Sequence, residues 1–276
     1  MDVNTEGIEA PFFRAAITSH VAEYVRHFGR RLVAVYVWGS VHRGEAVPGV
    51  SDLDLHAFIR DQLSPADEEW FQKERHPLEA RFPGTLGLSR PLPLEMLRAG
   101  LRDEATVPAR NLSRSLAFRL RHDGMLLWGE DLLPEPKLLP AFDKEFGTGG
   151  FESQRDLARW AAGWTPDNET DFALPDSPRL RLRKLARLAV LGGGWYLIAT
   201  GRLLSLRGSD VLPVLRREFP DRTGFLEQTK QLYIAPVDDV SASSQLAPYT
   251  REVARWTDML GERLGMGPTI EPRAGP

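Results

Sequence analysis

Apolar residues Phe12, Ala16, Ile17, Val21, Tyr24, Val25 and Phe28 recur at three- and four-residue spacing, which predicts an amphipathic helix over Pro11 to Arg31. Leu32 to Trp38 (LVAVYVW) is β-branched and aromatic throughout, the pattern of a buried strand. Gly39-Ser40 ends that run, and a polar, turn-rich stretch follows through His42, Arg43, Gly44, Glu45 and Pro48-Gly49. Then Leu53, Leu55, Ala57 and Ile59 alternate with Asp52, Asp54, His56 and Phe58, predicting a second strand that opens with two acids. Ser64-Pro65-Ala66-Asp67-Glu68 is a helix start, with a serine cap, an early proline and acids at the positive end. That helix is expected to run to about Arg81. A third strand is read over Thr85 to Leu92, and a helix over Asn111 to His122 ahead of the apolar Met125–Gly129.

Proline-rich Leu133–Pro140 and the glycines Gly147, Gly149 and Gly150 mark a domain boundary. Beyond it the pattern is helical over 151–163, 178–200, 209–219, 222–234 and 248–265. The expected architecture is therefore an α/β domain over 1–146, a small mixed sheet with helices, followed by an all-α domain over 147–276. A cleft between the two is the expected ligand site.

Charge and composition narrow the chemistry. A formal net charge of -3 over 276 residues provides no general field for gripping nucleic acid. The absence of cysteine excludes disulfides, thiolate-bound zinc, iron–sulfur clusters and thiol catalysis. No apolar run reaches the ~20 residues of a membrane span, and the N-terminus lacks the pattern of a signal peptide, so the expectation is a cytoplasmic protein. Among 35 basic residues the only lysines are Lys73, Lys137, Lys144, Lys184 and Lys230, so an anionic ligand would be held mainly by arginine forks.

Asp52 and Asp54 stand two apart on the predicted strand, so their carboxylates leave one face roughly 6.6 Å apart along the backbone. Two acids on one face repel each other, and they suit magnesium, a hard cation that takes oxygen ligands and bridges carboxylates to a nucleoside triphosphate. Gly39-Ser40 closes the preceding strand with a turn whose amides and hydroxyl can hold phosphate oxygens. Taken alone, each piece also reads as an ordinary turn or strand start. In order, the apolar strand, Gly39-Ser40, the glycine-bearing connection and Ser51-Asp52-Leu53-Asp54-Leu55 resemble the signature of the nucleotidyltransferase superfamily. There the Gly-Ser pair binds the triphosphate and the two aspartates bind one or two magnesium ions.

The resemblance extends to the streptomycin and spectinomycin adenylyltransferase class. Leu126 to Leu133 is similar to the segment closing the catalytic domain, and Leu185–Ala189 with Trp195–Arg207 looks like the helical domain. By that resemblance Arg207, with Arg202 as its neighbour, supplies a cationic contact to the triphosphate. The implied activity is magnesium-dependent transfer of a nucleoside monophosphate, ATP favoured, to a hydroxyl of a small, aminoglycoside-like acceptor. Such enzymes usually carry a third carboxylate as general base on the strand after the helix, and Thr85–Leu92 contains no acid. Glu79, Glu95, Glu45 or Asp54 itself would have to serve. Otherwise the chain is a catalytically silent nucleotide binder, or a transferase acting on a protein or tRNA.

Further candidates lie around this core. Ser51 and Arg43 are expected at the nucleotide, with Arg43 otherwise solvated; His42 is a loop histidine beside the turn, and His56 shares the face of the two aspartates. Arg183, Lys184 and Arg187 form a basic helix face, of which Lys184 is assigned to the nucleotide. Trp160, Trp164 and Asp176 are assigned to the acceptor, because Asp167, Glu169, Asp171 and Asp176 set four carboxylates near two tryptophans, a surface for a cationic hydroxylated molecule. The competing reading packs both tryptophans into a helical core.

Overall fold

The computed structural model describes residues 2–48, 51–85, 88–102, 109–133, 144–164, 176–234 and 238–267, with the side chains of 100–102 and 109–113 left out of the description. The chain divides into two units, Met1–Ala141 and Phe142–Pro276.

In the first unit the element order is α1 (Pro11–Phe28), β1 (Leu32–Trp38), β2 (Leu55–Ile59), α2 (Pro65–Arg81), β3 (Leu92–Pro93), α3 (Leu94–Arg102), α4 (Ala109–Asp123) and β4 (Gly124–Gly129). The sheet is mixed and runs β3-β2-β1-β4. β1 lies between antiparallel neighbours, with Val37 opposite Leu55 and Tyr36 opposite Leu126, while β3 pairs parallel to β2. β1 is buried almost throughout because both its faces are covered. One face packs Val35, Val37, Leu55, Ala57 and Ile59 against Phe13, Ile17, Val21 and Tyr24 of α1 and Phe71 and Leu78 of α2. The other packs Ala34, Tyr36 and Phe58 against Leu97 of α3 and Leu116, Ala117 and Leu120 of α4. Phe58, read as the polar-side partner of Ile59, is thus a core residue of this second layer.

Three readings of the first unit are corrected. The second strand begins at Leu55, not Ser51, because Ser51 N–H turns back to the Val47 carbonyl instead of joining the ladder. Among the described residues the third strand is only Leu92–Pro93, since Gly84 sits at positive φ in a turn and Pro91 and Pro93 have no N–H to donate. An unforeseen helix, α3, follows it directly, burying Leu94 and Leu97.

Ser64 caps α2 as expected and forms a full capping box with Asp67. Asp67 is 2% exposed and also accepts both terminal nitrogens of Arg31, at 3.0 and 2.9 Å, with His27 Nε2 at 2.8 Å. The Arg31 guanidinium, helped by Ser64 and His27, holds the Asp67 carboxyl well below the usual carboxylate range against the opposing effect of burial. The folded-state pKa is depressed, so this stabilisation is complete above the unfolded value near 4 and lost as pH falls toward the folded value. Asp67→Asn is expected to lower stability by about 2 kcal/mol between pH 6 and 8. The gap from the parent should narrow progressively below about pH 4 in urea titrations run across pH.

The second unit contains α5 (Lys144–Ala161), α6 (Pro178–Ala199), α7 (Gly208–Glu218), α8 (Thr223–Ile234) and α9 (Asp239–Arg263). No strand occurs among its described residues. α6 is the central helix, burying one long run from Leu188 to Ala199 with few breaks. The glycines read as a boundary lie inside α5. A β-carbon at Gly147 would fall 2.3 Å from the Ala199 amide nitrogen, and one at Gly150 would fall 2.3 Å from the Trp195 ring. Gly147 and Gly150 are there for close helix packing. α9 starts at Asp239 behind an Asp238 cap and carries Pro248 in its interior, nine residues before the proline that had suggested its start.

Candidate functional site

The end of β1 and the start of β2 converge on Gly39. Trp38 N–H donates to the Asp54 carbonyl at 3.1 Å, which carries the ladder one step past β2 and fixes Asp54 beside the turn. Gly39 has φ +77°, and a β-carbon there would lie 2.5 Å from Asp54 Oδ2. The positive φ favours glycine here, and a β-carbon would also push the Asp54 carboxylate out of its place. Asp52, Asp54 and His56 are each half-buried, while Leu53, Leu55 and Ala57 are buried, so the three polar residues share the face that the alternation assigned to them.

The turn after Gly39 is built from its own backbone. Arg43 N–H donates to Gly39, Gly44 N–H to Val41 and Glu45 N–H to Ser40. The Ser40 hydroxyl is buried and finds no hydrogen-bond partner among the described residues. Asp123, the last residue of α4, accepts the Gly39 N–H at 3.2 Å and an ion pair from Arg43 Nη1, while Arg43 Nε donates to Glu45 at 2.7 Å. Arg43 is 7% exposed at its side chain. It braces the turn from behind and is not solvated. Asp123 was not anticipated: its role depends on the β1–β4 pairing, which sets Gly124 opposite Trp38, and no local motif signals that pairing. Ser51 is likewise structural in part, its hydroxyl accepting the Val47 N–H at 2.9 Å.

A cavity of about 620 Å³ opens on the α3–α4 side of this point, lined by Trp38, Asp54, His56, Phe71, Arg75 and Leu88 together with Ser89, Arg90, Leu92, Met96, Ser115, Leu116 and Arg119. Trp38 and His56 stack with ring centroids 5.8 Å apart, and Arg119 Cζ lies 4.8 Å from the Trp38 ring centre. Burial, and then the nearby Arg119 charge, push His56 down to about 4, so this imidazole is neutral at physiological pH. Among the described lining residues Asp54 is the sole carboxylate. Glu79 is half-buried in α2 and Glu95 is exposed at the start of α3, and neither lines the cavity.

The remaining candidates belong to the second unit. Arg183, Lys184 and Arg187 are half-buried along α6, and Arg207 stands just before α7 with its backbone N–H donated to Ser205 Oγ at 3.1 Å. Arg202 is paired with Glu218 at 2.8 Å. Trp160 lies in α5 and Trp164 closes the turn after it, both half-buried, while Asp167, Glu169, Asp171 and Phe172 fall outside the described residues. Asp176 is fully exposed and only 3.9 Å from Arg181.

Among the described residues no group of three or more acidic or histidine side chains is placed to hold a metal by itself. A two-carboxylate site of the Asp52/Asp54 kind is different, because substrate phosphates and water complete the magnesium shell. The open contact at Gly39, which leaves room for Asp54, fits that arrangement. No helix among the described residues is long and apolar enough to cross a membrane.

The chain matches no protein-family model and no curated protein. Among solved structures it is similar to the spectinomycin adenyltransferase AAD(9) from Enterococcus faecialis with ATP and spectinomycin, at 12% identity and a TM-score of 0.48. That likeness covers 90% of this chain and 98% of the other.

Proposed function

We propose that the first unit is a magnesium-dependent nucleotidyltransferase domain, moving a nucleoside monophosphate from a nucleoside triphosphate, ATP by preference, to the hydroxyl of a small acceptor. The observation that carries this reading is the approach of the Asp54 carboxylate to Gly39, where a β-carbon would stand 2.5 Å from Oδ2, with Trp38 N–H donating to the Asp54 carbonyl, so that the Gly-Ser turn and the Asp-x-Asp segment lie side by side. The buried Ser40 hydroxyl, without a hydrogen-bond partner among the described residues, supports it, since a phosphate oxygen would satisfy that donor.

In this reading Ser40 and the turn hold the triphosphate, and Asp123 with Arg43 keeps the turn in shape. Magnesium bound by Asp52 and Asp54 would neutralise the charge that builds on the phosphates. The acceptor hydroxyl oxygen attacks the α-phosphorus. A new P–O bond forms, the bond to the bridging oxygen breaks, and pyrophosphate leaves with that electron pair. The hydroxyl proton goes to Asp54 or to water. Calorimetry should detect ATP binding that strengthens with magnesium; no heat with ATP, GTP, CTP or UTP would end this reading.

One observation favours a second reading, a silent nucleotide binder. Asp54 is alone among the described cavity-lining residues in carrying a carboxylate, so metal binding and proton acceptance compete for it. Pyrophosphate release separates the two: sustained turnover excludes the silent reading, and tight ATP binding without turnover on a broad acceptor panel favours it.

A further inference from the structure

Beside Asp54 the charged lining of the cavity is dominated by arginine. Arg119 comes from α4, Arg75 from α2 and Arg90 from the segment leading to β3, so two helices and a connecting segment each contribute an arginine to the lining. Arg119 is held in place over the Trp38 ring. Arg90 pairs with Glu68, but both partners are well exposed, and an exposed pair of this kind is worth little and exchanges easily for another anion. The Trp38 indole N–H is buried with no acceptor among the described residues, and an oxygen in the adjoining cavity would supply one. The other walls are largely apolar, from Phe71, Leu88, Leu92, Met96 and Leu116. A volume of about 620 Å³ is in the range of small-molecule pockets and far too small for folded nucleic acid or protein.

We propose that this cavity seats the acceptor, and that the acceptor is a hydroxyl-bearing small molecule with a compact oxyanion, a carboxylate or phosphate group, on a carbon frame. This inference rests on the nucleotidyltransferase reading for its chemistry but not for its binding site. The arginines anchor the oxyanion by paired N–H donors, and the apolar walls cover the frame. Asp54 borders the same cavity, so a hydroxyl elsewhere on the molecule abuts the carboxylate. A polycation such as an aminoglycoside meets the wrong sign of charge here.

The test uses inorganic phosphate as the minimal probe, then glucose 6-phosphate, glucose and glucosamine, which keep one ring and change its charge. Titrations followed by calorimetry on the full chain, without magnesium, should show phosphate binding in the millimolar range or tighter. Arg119→Gln and Arg75→Gln should each weaken it about tenfold, and Arg119→Lys should recover part of the loss. Glucose 6-phosphate should bind better than glucose, and glucose better than glucosamine. Circular dichroism melts identify any variant that is merely unfolded, and the second arginine then carries the test. No phosphate binding at 20-fold above the range stated, binding abolished by Ser40→Ala but untouched by the arginine variants, or glucosamine as the tightest sugar would each overturn the proposal. Carboxylate and phosphate acceptors are then told apart by repeating the series with gluconate. Because ATP binding is measured separately, failure of the nucleotide reading leaves the phosphate result standing, and failure of the phosphate result leaves the nucleotide reading standing.

Discussion

Asp54→Asn is expected to reduce pyrophosphate release on the order of a thousandfold while leaving the fold intact. Asparagine keeps the size of the side chain, so its contact with Gly39 persists, and the Asp54 backbone carbonyl still accepts from Trp38 N–H. What is lost is one negative charge, which is the property magnesium requires of a ligand oxygen. The melting temperature should therefore stay within a few degrees of the parent, and rise if two neighbouring carboxylates repel each other without metal. Turnover within tenfold of the parent would show that Asp54 is outside the reaction centre. Should the variant fail to fold, Asp52→Asn on the same face gives the same test with no Gly39 contact to disturb.

The largest effect on stability is expected in the second unit, at Asp258. Its carboxylate accepts Arg155 Nε at 2.8 Å and Arg159 Nε at 2.9 Å, and Arg155 also donates to the Gly267 carbonyl at 2.8 Å. Arg155 is 5% exposed, and Gly261 lies so close that a β-carbon there would stand 3.0 Å from the guanidinium carbon. Asp258→Ala leaves that guanidinium buried without its carboxylate, at a cost of about 3–5 kcal/mol. This is a large fraction of the total of roughly 5–15 kcal/mol available to a domain. Urea unfolding should show a lower midpoint with an unchanged slope. Replacing the whole cluster, Arg155→Met and Arg159→Met with Asp258→Leu, should recover most of the loss, because well-packed apolar residues do not need the ion pairs. A combined variant as unstable as Asp258→Ala would mean that the loss comes from the packing around Asp258 and not from stranded guanidinium groups.

How much of this was legible in the sequence depended on how local the cause was. α1, β1 and α2 were foreseen nearly to their ends, because periodicity, a β-branched run and a capping box act within a few residues. The alternation from Asp52 to Ala57 likewise placed three polar residues on one face. The Gly-Ser and Asp-x-Asp pieces were legible for the same reason, and their joining at Gly39 follows from the adjacent antiparallel strands.

What the sequence left undecided rests on contacts between distant segments. Glycines at 147 and 150 carry the same composition signal in a linker and in a helix, and only the approach of α6 distinguishes them. Pro248 is an ordinary helix-start residue until the Asp238 cap sets the true beginning. Beyond its neighbour Glu45, Arg43 has a second partner that no local pattern signals, because Asp123 stands 80 residues away and reaches it only through β1–β4 pairing. The cavity beside Asp54 is a product of six elements and the segment before β3, so no stretch of chain announces it. Local chemistry along the chain determined β1, the Ser64 cap of α2 and the placing of the two aspartates on one face. The tertiary structure alone decided which charges face Asp54, because a guanidinium's neighbours are set by packing of separate helices and not by its own sequence neighbours.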